Sequence, residues 1–248
     1  MRILTLILLF ASCIPAAADG FWKGTVSFDG RERSFYLDIP SSAEGPAPLI
    51  VLLHGSGGEG LFMIQRWKEE ARREGIVLVA PNSLRPEKGW TLRDDGPDFI
   101  RETVMAAAGR HAIDFRRLYV FGQSGGAVYA LTLAMLESRY FAAVAFHAGG
   151  WRAQAEQRVM QYAERRIPIA LYVGDQDEYF PLASVKNTER VLKSAGFPAA
   201  LTLLAGRRHS YLDVPEDFHD TVWSFLKANA LSGLPVFVPY RPTSPIGP

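Results

Sequence analysis

Ser124 stands in Gly122-Gln123-Ser124-Gly125-Gly126, a serine with glycines two positions before it and directly after it. The G-x-S-x-G pattern carries chemistry in one setting: a strand must enter and a helix must leave, so that a tight turn lifts the hydroxyl into the open. Here the apolar residues 118–121 supply the strand and residues 127–136 the helix. A serine hydroxyl at its ordinary pKa is a poor nucleophile, so it needs a base within hydrogen-bond reach and a third group to orient that base. Of five histidines, His209 follows the last strand-like run in Gly206-Arg207-Arg208-His209-Ser210, on a loop at a strand's carboxyl end. His219, between Phe218 and Asp220 in a helical pattern, is expected on the surface. His209 is therefore the expected base. For the acid, Gly174-Asp175-Gln176-Asp177 follows the apolar run 169–173. Asp177, deeper in the loop, is preferred; Asp175, closer to the strand, is the alternative and is better placed to brace the turn.

Acyl transfer also needs donors aimed at the oxyanion of the tetrahedral intermediate. His54-Gly55-Ser56-Gly57-Gly58 follows the apolar run 49–53, and the backbone N–H groups of Ser56 and Gly125 are the expected pair. A phosphate-binding turn is the competing reading, but the loop lacks both the G-K-[ST] ending and the G-x-G-x-x-G spacing. His54 is expected to prop the loop. His111 and His147 are taken as structural, because neither forms a metal-ligand spacing such as H-E-x-x-H.

These groups lie far apart in the chain, and the elements between them must bring them together. Short apolar runs recur at residues 49–53, 76–80, 118–121, 142–146, 169–173 and 201–204, as strands covered on both faces require. Before them, residues 24–29 and 33–39 alternate apolar with polar around Asp29-Gly30 and predict a hairpin. Between the runs, Ile64, Trp67 and Ala71 share a helical face, as do Ile100, Thr103, Val104 and Ala107. Residues 127–136 are apolar almost all round, Val185, Val191 and Leu192 form one inward stripe, and Phe218, Val222, Phe225 and Leu226 another. Strands alternating with helices predict an α/β fold with a mostly parallel sheet and helices on both faces.

With 248 residues, the chain is sized for one domain. Its 27 basic and 26 acidic residues leave a net charge of +1, which calls for no nucleic acid or acidic polymer as partner. Residues 1–18 have the pattern of a signal peptide: Arg2, an apolar stretch, then Ala16-Ala17-Ala18 before Asp19. Pro15 interrupts the stretch too early for a membrane span. The expectation is a secreted or periplasmic protein, with lipid anchoring at Cys13 as a lesser alternative. Cys13 is the only cysteine, so cleavage would leave no thiol for disulfides, catalysis or metal binding. Residues 19–230 form the expected catalytic domain, and residues 231–248, with five prolines, an irregular tail.

The chain resembles the α/β-hydrolase superfamily, and within it the secreted esterase group that includes polyhydroxybutyrate depolymerase-like and feruloyl esterase-like proteins. The resemblance rests on the segments 33–37, 52–58, 98–100, 113–120, the serine turn, Gly174-Asp175-Gln176-Asp177 and His209. It implies a single-domain α/β-hydrolase fold with an eight-stranded sheet, a Ser124, Asp177, His209 triad, and ester hydrolysis without metal or organic cofactor. The expected function is hydrolysis of a carboxylic ester, small or polymer-borne, through an acyl-enzyme. A peptidase or acyltransferase on the same triad and a catalytically inactive binding module are the alternatives. Residues 149–168 leave room for a helix and a loop but for no large lid. An open site is therefore expected, lined by some of Trp90, Trp151, Tyr179, Phe180 and Tyr211.

Overall fold

The computed structural model describes residues 20–237. The leader expected at 1–18 and residues 238–248 of the tail lie outside the described residues.

Eight strands alternate with six α-helices: β1 (Trp22–Phe28), β2 (Arg31–Asp38), β3 (Ala47–Leu53), α1 (Gly60–Glu74), β4 (Val77–Pro81), α2 (Leu92–Asp95), α3 (Pro97–Ala108), β5 (Ile113–Gln123), α4 (Gly125–Leu136), β6 (Ala143–His147), β7 (Ile169–Gly174), α5 (Leu182–Ser194), β8 (Ala199–Leu204) and α6 (Phe218–Lys227). They build one sheet in the order β1-β2-β4-β3-β5-β6-β7-β8. The β1–β2 and β2–β4 pairs are antiparallel, and every pair from β4 to β8 is parallel. This is the single α/β domain that the alternating pattern predicts.

The continuous apolar strands follow from a core on each side of the sheet. Successive side chains of a strand point to opposite faces. Leu49, Val51 and Leu53 of β3, with Leu118 and Val120 of β5, therefore pack under α3, α4 and α5. Ile50 and Leu52, with Tyr119 and Phe121, pack under α1 and α6. Helix α4 is apolar on nearly every side because it is buried against the sheet and the segment Gln154–Tyr162.

Three details depart from the sequence expectation. Strand β8 is only partly covered: it is the sheet's last strand, with Ala200, Thr202 and Leu203 exposed, Leu203 to 46%. In α6, Trp223 joins Phe218, Val222 and Leu226 in the core, while Phe225 is only half-buried. The segment between β6 and β7 contains a 3₁₀ helix, Gln154–Tyr162, rather than an α-helix.

A buried ion pair joins the hairpin to the loop behind the serine. Arg33 on β2, 3% exposed, meets Asp95 at the end of α2, 1% exposed, at 2.6 Å. Asp95 also accepts the N–H groups of Leu84 (2.8 Å) and Thr91 (3.0 Å). Arg33 donates to the carbonyls of Asp94 (2.6 Å) and Asn82 (3.0 Å), and its guanidinium lies 4.0 Å from the Phe99 ring centre. Removing one partner of such a pair strands a buried charge. We expect Asp95→Ala to lose about 3–5 kcal/mol of stability, read from urea unfolding; a loss below about 1 kcal/mol would show that Arg33 finds other compensation.

Candidate active site

Ser124 sits between β5 and α4 with φ 54° and ψ −116°, a conformation that side chains rarely adopt. Such a residue costs about 1–3 kcal/mol and persists only where its surroundings over-determine it. Here they do. Its N–H donates to the His147 carbonyl at the end of β6 (3.0 Å), and its carbonyl accepts from Ala127 (2.9 Å). The turn is closed so tightly that a Cβ on Gly122 would collide with the Gly126 carbonyl, and one on Gly126 with the Leu53 carbonyl. Only glycine fits at either place.

The other two predicted residues converge on this hydroxyl. His209 lies on the loop after β8, and its Nε2 is 2.9 Å from Ser124 Oγ. Its Nδ1 faces both carboxylate oxygens of Asp177, at 3.1 and 3.0 Å. Asp177 Oδ1 also accepts from the N–H groups of Tyr179 (2.9 Å) and Phe180 (2.8 Å), and its side chain is fully buried. With Nδ1–H donating to the carboxylate, Nε2 presents its lone pair to the serine. Asp175 does not touch His209; its Oδ1 accepts the Gly206 N–H at 2.8 Å and ties the β7 loop to the turn after β8. Two further backbone bonds join the same loops, Asp175 N–H to Leu204 (3.3 Å) and Gln176 N–H to Arg207 (3.0 Å).

Opposite lies the loop after β3. A Cβ on Gly125 would meet Ser56 Oγ and stand 3.2 Å from Ser56 N, so the two predicted amides are neighbours. Gly125 is the first residue of α4, where the N–H has no intrahelical partner and the helix dipole favours negative charge. Among the described residues neither this N–H nor that of Ser56 donates elsewhere.

The Ser56 loop is held from behind by the segment 82–96. Ser83 N–H donates to His54 Nε2 (3.2 Å), Gly57 N–H to the Pro86 carbonyl (2.7 Å) and Gly60 N–H to Asn82 Oδ1 (2.7 Å). Trp90 Nε1–H donates to the His54 carbonyl (2.8 Å), and its ring stacks on Tyr129 of α4 at 5.5 Å. His54 Nδ1 faces the Gly55 carbonyl at 2.8 Å, and burial lowers its pKa, as its propping position requires.

Of the aromatic residues expected around the site, Trp151 and Tyr211 are core residues, 3% exposed each. Trp90 is half-buried behind the oxyanion loop. Tyr179 and Phe180 flank His209, with ring centres 4.7 and 5.9 Å away. His219 is half-buried, not on the surface: Nε2 lies 2.8 Å from the Tyr211 hydroxyl, and the ring packs against Trp67. Sequence reasoning missed this packing because Trp67 comes from α1 and the turn that carries Tyr211 folds back on α6. Among the described residues no cluster of His, Cys, Asp and Glu could hold a metal ion, and no helix is long and apolar enough to cross a membrane.

A family model, described as the dienelactone hydrolase family, matches residues 34–222. The chain belongs to the dienelactone hydrolase family. It is 30% identical over 175 residues to "Putative esterase NocK" of Nocardia uniformis subsp. tsuyamanensis, a match covering 61% of this chain and 47% of that relative, so the chain spans about half the length of the curated relative it matches. Among solved structures it is similar to a thermostable esterase, with TM-score 0.66 and 18% identity over 85% of this chain and 63% of the other. It is also similar to a ferulic acid esterase, with TM-score 0.59 and 16% identity over 84% and 96%. These likenesses and the sheet order place this member of the dienelactone hydrolase family in the α/β-hydrolase fold.

Two imidazoles, the buried His147 and the half-buried His219, set an acid limit on the molecule. Burial, followed by the charge of His209, lowers His147 to about 4, and burial, followed by Arg66, lowers His219 to about 3. Both values lie below the 6.5 of an unfolded histidine, so the unfolded chain binds the extra protons. The stability these neutral rings contribute is complete above pH 6.5 and is lost as pH falls toward their folded values. We expect the urea midpoint to drop between pH 6.5 and 4, by up to about 2.7 kcal/mol of stability per pH unit where both rings contribute. His147→Gln should flatten that slope by about one proton; an unchanged slope in the variant would overturn the assignment.

Proposed function

We propose that the protein is a serine esterase that hydrolyses carboxylic esters through a covalent acyl-enzyme on Ser124. The observation that carries this reading is the continuous hydrogen-bonded chain from Asp177 through His209 to the Ser124 hydroxyl. Family membership supports an esterase-type hydrolase.

In this reading His209 Nε2 takes the hydroxyl proton as Ser124 Oγ attacks the ester carbonyl. The carbonyl oxygen becomes an oxyanion held by the N–H groups of Ser56 and Gly125. Asp177 fixes the tautomer of His209 and stabilises its cation without taking the proton. The tetrahedral intermediate collapses, the bond to the alcohol oxygen breaks, and His209 gives that oxygen its proton. A water then enters: His209 takes one of its protons, the hydroxide attacks the acyl carbon, and the acid departs while the proton returns to Ser124.

An open approach to the serine suits esters presented on small or polymer-borne substrates, as the short connection between β6 and β7 leaves no extended cap. The expected outcome for Ser124→Ala is a loss of at least ~10³-fold in kcat on nitrophenyl esters, with unchanged urea stability. Wild type should take up one fluorophosphonate at Ser124, read by peptide mass. Retained turnover in the variant would overturn the proposal. A higher kcat/KM on peptides than on esters would favour a peptidase on the same residues, and absence of labelling would favour a binding module.

We also propose that the chain is exported and that residues 1–18 are removed. The basic, apolar and small-residue succession supports this. Expression in a bacterial host should give a product beginning at Asp19; an intact amino terminus, or one beginning at a lipidated Cys13, would overturn it.

A further inference from the structure

We infer that the site selects esters of aromatic alcohols, with Tyr179 as the platform on which the alcohol's ring rests. This inference rests on the serine esterase reading above. In that mechanism the atom that His209 protonates is the alcohol oxygen, so this oxygen must come within hydrogen-bond reach of Nε2. Whatever the alcohol carries is then delivered beside the rings that flank the imidazole.

Those two rings differ sharply in their surroundings. Phe180 lies nearly parallel to His209, with 14° between planes and 5.9 Å between centres, and is 2% exposed. The Arg152 guanidinium stands 4.3 Å from its ring centre. Phe180 is packing. Tyr179 is closer, at 4.7 Å and 54°, yet it is 62% exposed. Its backbone is pinned, because its N–H donates to Asp177 Oδ1 at 2.9 Å. The large ring is thus held against the histidine by the same carboxylate that orients the histidine, and most of its surface faces water. Folding gains little from a ring left so open, since burial and not presence earns the hydrophobic contribution. A planar substrate group laid on it would recover that surface.

A second apolar side chain follows His209 in the chain. Leu212, in the short turn Tyr211–Asp213, is 67% exposed, and its N–H is tied to Ser210 Oγ at 3.2 Å. The loops that carry the acid and the base therefore each present one open apolar group. On the oxyanion side the neighbours are backbone amides and the half-buried Trp90, whose N–H is engaged by His54. The asymmetry assigns aromatic recognition to the alcohol and not to the acyl group. Rings in offset or edge-to-face contact, with centres about 4.5–7 Å apart, gain beyond simple area burial, which lets the platform prefer an aromatic over a saturated ring of the same size.

The test uses full-length wild type, Tyr179→Ala and Tyr179→Phe, with two matched series read by kcat/KM. The first holds the acid constant and compares benzyl with cyclohexylmethyl esters. The second holds methanol constant and compares phenylacetate with cyclohexylacetate. Wild type should favour benzyl by roughly threefold to tenfold, chiefly through KM. Tyr179→Ala should bring that ratio to about one, and Tyr179→Phe should restore it, whereas the acyl-side ratio should be the same in all three proteins. The inference is overturned if the benzyl ratio survives in Tyr179→Ala, or if both ratios change together. Failure of wild type to hydrolyse any ester or to label at Ser124 would overturn the esterase reading itself, a result distinct from hydrolysis without ring preference.

Discussion

The molecule depends on the close approach of three main-chain segments: the end of β3, the end of β5 and the start of α4. Backbone packs against backbone there, at Gly122, Gly126 and the Leu53 carbonyl, and nothing larger than hydrogen fits between. That approach forces Ser124 into its positive φ. It also sets the first amide of α4 beside Ser56. The serine turn and the paired amides of Ser56 and Gly125 thus share one steric origin. The strain at Ser124 is carried by two cores, in which β3 and β5 pack on both faces. Central parallel strands are suited to this, because their side chains anchor the sheet above and below while their carboxyl ends stay free for loops.

Support for the oxyanion loop is polar where support for the strands is apolar. A loop cannot bury apolar side chains without also burying its amides and carbonyls, and each of these needs a partner. The segment 82–96 provides them. Ser83, Asn82, Pro86 and Trp90 each bond to the loop between His54 and Gly60. Asp95 in turn gathers Leu84 and Thr91 around one carboxylate, and Arg33 balances its charge. The hairpin strand β2 therefore belongs to the scaffold of the site although no residue of it stands near the serine.

Much of this was legible in the residues. Runs such as 49–53 and 169–173 announced strands covered on both faces because a one-sided strand would alternate. The G-x-S-x-G turn could be placed because strand and helix signals bracket it. Asp177 and His209 could be paired because both follow strands in loops at the same sheet end. What could not be read depended on partners distant in sequence. The exposure of β8 follows from its place at the sheet's end, which an apolar run does not disclose. The first half of β5 was hidden by Asp114, Arg116 and Arg117, whose charges form an Arg117–Asp114 pair at 2.7 Å instead of facing a core. The single turn α2 is too short for a period. Trp151 and Tyr211 look like pocket residues by type alone, and only packing shows them buried. Tyr179, also named by type, does stand open beside His209, with its N–H bonded to Asp177 two residues before it.

The loops that carry Asp177 and His209 are fastened to each other by Asp175, Gln176 and their partners after β8, with no bond through the serine turn. Asp177 and His209 are therefore one module and Ser124 another, assembled on opposite sides of β6. Exchange of the side chain at position 124 leaves the imidazole still orientated by its carboxylate and the two amides still facing inward. The same modularity lets the side chain at position 124 be exchanged in one step while the pairing of His209 with Asp177 is left intact.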